Sequence, residues 1–134
     1  MIRIQFITVF LAFSMLAFGQ SKREFEMPEG DTVFVMKMYW MCFLYKGDNR
    51  TEDSVASAKI QEQHLQRINK LAEEGIIKVA GPFGHNGDLR GLFIYDVDTK
   101  EEAEKYAKSD PAIKAGQLRY EIYPWWTGKG SKLD

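Results

Sequence analysis

A single cysteine, Cys42, excludes any disulfide within the chain. It lies in an apolar stretch and reads as a small buried hydrophobe rather than a reactive thiol. No run of Lys and Arg forms a phosphate-binding stripe, and the formal net charge is only −1, so nucleic acid is not an expected partner. There are two histidines, His64 and His85, without the close helical spacing of a metal pair; no metal and no other cofactor is expected. Gly81, Gly84 and Gly87 are followed by neither Lys-Ser/Thr nor a helix start, which excludes a phosphate loop. Internal repeats and low-complexity segments are also missing. The 134 residues allow one domain with a modest core.

The longest hydrophobic run, from about Ile4 to Phe18, falls short of the roughly 20 residues that span a bilayer. It follows the basic Arg3 and ends in Ala17-Phe18-Gly19 before Gln20, with small residues at the two positions a signal peptidase reads. The expectation is a cleaved secretory signal over residues 1–19. The mature chain would then start at Gln20, periplasmic or secreted, with no membrane association after cleavage. Residues 20–31, "QSKREFEMPEGD", are polar, contain Pro-Glu-Gly and read as a flexible leader.

What is abundant is β-forming sequence. "TVFVMKMYWMCFLY", Thr32 to Tyr45, is apolar on both alternating faces, broken only by Lys37. A strand apolar on both sides is covered on both sides. Helices can cover one face; a second copy of the chain is the natural cover for the other, so a homodimer is expected. "IIKVAG", "LRGLFIYDV" and "QLRYEIYPWW" read as further strands, with the Gly-rich "GPFGHNGD" as a hairpin connection between the first two. One helix is expected from near Asp53 to Glu74, capped by Gly75. A second opens on the capping box Thr99–Glu102 and stops near Asp110, because the residue before Pro111 is pushed out of the helical region. The order β-α-β-β-α-β predicts an α+β, ferredoxin-like domain over residues 32–128, an antiparallel sheet with both helices on one face, and a disordered tail at 129–134.

The first helix carries one unusual residue. At about 100° per residue, with His64 at zero, Ile60 falls near −40°, Leu71 near −20°, Ile68 near +40°, Ala72 near +80° and Leu65 near +100°. A titratable imidazole therefore sits within the apolar arc. An imidazole can take or give a proton near neutral pH, and a nearby carboxylate would fix its tautomer and orient its ring.

"QHL" on this helix, Gly75 at its end, "AGPFG" after the second strand and "SDPAIKAG" after the second helix resemble the YCII-related family. The resemblance runs from about Val33 to Trp126. It implies a dimeric α+β barrel similar to muconolactone isomerase-like proteins, in which two ferredoxin-like sheets pack face to face. It also implies a His-Asp active site, here His64 and Asp110, acting on a small organic substrate by isomerisation or elimination without a cofactor. Some members carry an Arg three residues before the His; this chain has Gln61. The candidate substrate contacts are Gly81 and Pro82 of the turn, His85 of the hairpin and Trp125 near the end of the last strand. Arg90 and Arg119 are possible carboxylate partners, read more simply as solvated strand charges. The alternative to an enzyme is a non-catalytic small-molecule-binding or structural homodimer, in which the His-Asp pair only stabilises the core.

Overall fold

The computed structural model describes residues 23–134. The signal segment 1–19 lies outside them. The elements in chain order are β1 (Glu24–Glu29), β2 (Thr32–Lys46), α1 (Ser54–Glu73), β3 (Ile77–Pro82), β4 (Leu89–Tyr95), α2 (Lys100–Lys108), α3 (Pro111–Lys114) and β5 (Leu118–Gly128). All strand pairings are antiparallel. The long β2 is the spine. β5 runs along one of its edges from Met36 to Lys46; β4 pairs with the other edge from Trp40 to Tyr45, and β3 adds outside β4. The resulting order β5–β2–β4–β3 is ferredoxin-like, as the element order predicts.

Local chemistry sets the helix ends where the sequence places them. The Asp53 carboxylate accepts from the backbone N–H groups of Val55 and Ala56 at 2.9 and 3.1 Å, a direct N-cap. Gly75, at φ +74°, turns the chain out of α1 while its N–H and that of Ile76 bond back to Ala72 and Leu71. Thr99 caps α2 through Glu102 N–H at 3.1 Å. The Glu102 side chain reaches back to the N–H of Asp98 rather than to that of Thr99 itself.

Two segments differ from the sequence reading. Glu24–Glu29, expected as part of a flexible leader, is a strand paired with Thr32–Lys37. Its Glu-Phe-Glu-Met alternation places Phe25 and Met27 on one face, where Phe25 packs edge-on against Trp126 at 4.8 Å, and Gly30 at φ +58° closes the hairpin. The Ser109-Asp110-Pro111 break does end α2, but Pro111 then starts the one-turn α3. Its fixed φ suits a first helical position, and Asp110 caps the turn by accepting from Ala112 N–H at 2.8 Å. Beyond Gly128 the chain adds a turn and no further strand.

Strand parity divides the sheet into two faces. Cys42, Leu44, Phe93, Tyr95 and Ile122 point to one side and join Leu71 of α1 with Ala103 and Ala107 of α2 in the core. Tyr39, Met41, Phe43, Tyr123 and Trp125 point to the other, where no described helix lies. The helical arc is narrower than the wheel predicts: His64 and Leu71 are buried, whereas Leu65 and Ala72 at its far side are exposed.

Candidate active site

His64 sits midway along α1, pressed toward the sheet with its ring 6.0 Å from that of Phe93. Asp110 occupies the joint between α2 and α3. The His64 Nδ1 lies 2.8 Å from both carboxylate oxygens of Asp110. The two side chains are nearly enclosed, with 7 % and 2 % of the residues exposed. A carboxylate acceptor on that side assigns the proton to Nδ1, so Nδ1–H donates to Asp110 and Nε2 keeps its lone pair. Nε2 makes no hydrogen bond with a described residue.

Asp110 is held in place by its own surroundings. One oxygen also accepts from Ala112 N–H, so the carboxylate is fixed by α3 before it meets the imidazole. The preceding residue is anchored from the same helix that carries His64: Arg67 donates to Ser109 Oγ from Nε at 3.2 Å and Nη2 at 2.7 Å, and Ser109 Oγ donates to the Tyr106 carbonyl. Residues three apart on α1 thus grip two consecutive residues of the joint.

The imidazole forms part of the wall of a cavity of about 350 Å³, at the lower end of the usual range for small-molecule sites. From α1 come Ser57, Ile60, Gln61, His64, Leu65 and Ile68; the sheet supplies Leu44, Ala80, Gly81, Pro82, Arg90, Gly91 and Phe93. Arg50, Ala112, Gln117 and Leu118 complete it. Of the sequence candidates, His64, Gly81 and Pro82 line this cavity, and Asp110 stands directly behind the histidine.

His85 and Trp125 do not belong to this site. His85 is exposed in the β3–β4 hairpin, where its Nδ1 accepts from Gly87 N–H at 2.8 Å and its carbonyl accepts from Arg90. Trp125 pairs across from Tyr39 on the sheet face opposite the helices. Arg119 also lies away from the cavity, bound to Asp88 at 2.7 Å and stacked over Tyr45. Sequence reasoning missed Arg50 and Gln117, and took Arg90 for a solvated strand charge.

Other titratable groups near the pair are silenced by burial. Cys42 is fully enclosed; burial, with the charge of Asp110 adding, pushes its thiol up to about 12. Burial likewise pushes the Tyr95 phenol far up, with Cys42 and Asp110 acting in the same direction. Both stay protonated at neutral pH, so neither supplies a base. Among the described residues no cluster of three or more His, Cys, Asp or Glu side chains could hold a metal ion, and no helix is long and apolar enough to cross a membrane.

The family model of the YCII-related domain matches residues 38–126, well over half of the chain and every residue that lines the cavity. The chain belongs to the YCII-related family. Among solved structures, the chain is similar to the 5-chloro-2-hydroxyhydroquinone dehydrochlorinase of Burkholderia phenoliruptrix, determined in complex with 2,5-dihydroxybenzoquinone. The identity is 22 % and the TM-score 0.48, over 69 % of this chain and 99 % of that one. Comparison with curated proteins returns no match.

Proposed function

We propose that this YCII-related domain is a small enzyme that uses the His64–Asp110 pair for general acid/base chemistry, isomerisation or elimination, on a small organic substrate in the cavity. One observation carries the reading: an imidazole on a cavity wall whose Nδ1 is 2.8 Å from both oxygens of a buried carboxylate. Asp110 orients the ring and stabilises the imidazolium that forms when Nε2 takes a proton. The proton leaves a carbon next to a carbonyl, and its bonding electrons pass into an enolate. In isomerisation the imidazolium returns the proton to a different carbon. In elimination a leaving group departs with its electron pair while the double bond forms. Both need a placed base and donors for the enolate oxygen.

The test is turnover by His64→Ala in a substrate screen. Activity should fall by at least a hundredfold, in line with the usual contribution of a general base, while circular dichroism and the thermal midpoint show a folded protein. Unchanged turnover would sink the proposal. The second reading, a binding protein without chemistry, draws support from the double duty of Asp110 as a helix cap; it predicts that ligand binding persists and that no substrate is turned over.

The proposal includes a homodimer formed through the sheet face that carries Tyr39, Met41, Phe43 and Trp125, which are too apolar and too numerous for a solvated surface. Light scattering at micromolar concentration should give twice the chain mass, and a pure monomer would refute it. It also includes export: intact mass of the protein recovered from the producing cell should begin at Gln20, and retention of Met1 would refute cleavage.

A further inference from the structure

Gln117 is an anomaly in an otherwise well-satisfied site. Its main chain is fully paired: N–H donates to the Ala112 carbonyl at 2.9 Å, and its carbonyl accepts from Gly47 N–H at 2.8 Å and from Arg50 Nη1 at 3.3 Å. The residue is 7 % exposed and lines the cavity, yet its side-chain Nε2 is buried without a partner among the described residues. That nitrogen is enclosed and out of reach of a molecule in the cavity, so Gln117 shapes the wall and anchors Arg50 through its carbonyl.

Two guanidinium groups, Arg50 and Arg90, line the cavity, and neither pairs with a carboxylate among the described residues. No Asp or Glu contributes to the wall. Arg90 stands at the shift in register where Leu44 pairs with Gly91 and Tyr45 with Leu89, so it has no partner residue on β2. Its Nη1 is tied to the hairpin carbonyls of His85 and Gly87, which leaves the rest of the fork for another acceptor. Gln117 and Arg90 flank the C-terminal end of β2 from opposite edges, beside Lys46 and Tyr45.

We infer that the cavity is built for a small organic carboxylate. Arg50 and Arg90 hold the carboxylate group, and His64 Nε2 faces its reactive carbon. Arginine forks match carboxylates in charge and planarity, and two of them offset the charge of Asp110 behind the histidine. This inference rests on the reading of the cavity as the substrate site, and it names the class of substrate.

The experiment is titration calorimetry of the full mature chain with monocyclic carboxylates (benzoate, 2-hydroxybenzoate, 2-furoate), with the corresponding neutral amides, and with inorganic phosphate. At least one carboxylate should bind ten times more tightly than its amide and than phosphate. Arg50→Met and Arg90→Met should each weaken that carboxylate about tenfold and reduce its dependence on salt. Gln117→Glu, which sets an acidic group in the wall beside Arg50, should weaken it as well. His64→Ala should keep carboxylate binding. If no carboxylate in the panel binds better than its amide, or the arginine variants bind as the wild type does, the inference is overturned while the His64 mechanism stands. If the carboxylates bind as expected but His64→Ala retains turnover, the mechanism falls and the carboxylate site stands.

Discussion

The spine strand β2 runs through two environments. Its first half, Thr32–Lys37, is flanked by β1 and only the last residues of β5, and it leaves Val33, Phe34 and Val35 at 57, 44 and 37 % exposure. Its second half is paired on both edges and covered by α1 and α2, and there Cys42 and Leu44 fall to 0 and 3 %. The first half is rich in β-branched residues and the second in aromatics, so local propensity makes both extended. Burial follows from what the rest of the chain delivers to each half. The cavity belongs to the second half alone, where a helix, two strand ends and a capped turn converge.

The sharpest way to break this comparison is to remove equivalent apolar bulk from each region. Leu71→Ala, under the covered half, should cost about 2–5 kcal/mol in urea unfolding. A loss below 1 kcal/mol would mean the helix layer is not what secures the second half. Next comes the joint between the halves. Asp96 receives Lys37 at 2.9 Å and Arg23 at 2.9 Å, tying the root of the β1 arm to the end of β4. Burial opposes its ionisation, but the hydrogen bonds and charges of Lys37 and Arg23 outweigh that and hold the carboxyl below the usual range. Its ionised form therefore stabilises the fold above the unfolded carboxylate value of about 3.9, and that contribution drains away as pH falls through the lower folded value. Asp96→Asn should lower the thermal midpoint at pH 7, and the two proteins should converge in acid. An equal gap at both pH values would refute the assignment. The smallest effect belongs to the exposed half: Phe34→Ala should change monomer stability by no more than about 0.5 kcal/mol. A loss matching that of Leu71→Ala would erase the distinction between the halves.

The order of strands and helices was legible because alternation, caps and breakers are local. His64 was legible for the same reason, since a wheel places it among apolar residues; Asp110 as its partner came from the resemblance of "SDP" to the family's motif. Where the sequence reading and the structure part, the causes are specific. Trp125 sits at odd spacing from Ile122, so parity alone puts it on the face away from the helices and away from the cavity that His64 lines. His85 was grouped with the site because its hairpin follows Gly81 and Pro82, but it is exposed, bonds to Gly87 and does not line the cavity. The β1 strand was overlooked because the charged residues of "EFEM" masked its period of two. Gln117 and Arg50 carry no local signal at all, since a glutamine at a strand start and an arginine in a polar loop look ordinary. Their meeting depends on contacts between residues nearly seventy positions apart.

That meeting has a steric condition. Gly47 passes so close to the backbone of Gly116 that a β-carbon at position 47 would collide with the Gly116 carbonyl oxygen, and a β-carbon on Gly116, itself at φ +74°, would press on Asn49. The two glycines let the loop after β2 and the turn before β5 close on each other. Closing a chain segment of that length is among the slower events in folding a small domain. A side chain at either position would hold the two segments apart, and with them Arg50 and Gln117, so the cavity would lose that part of its wall.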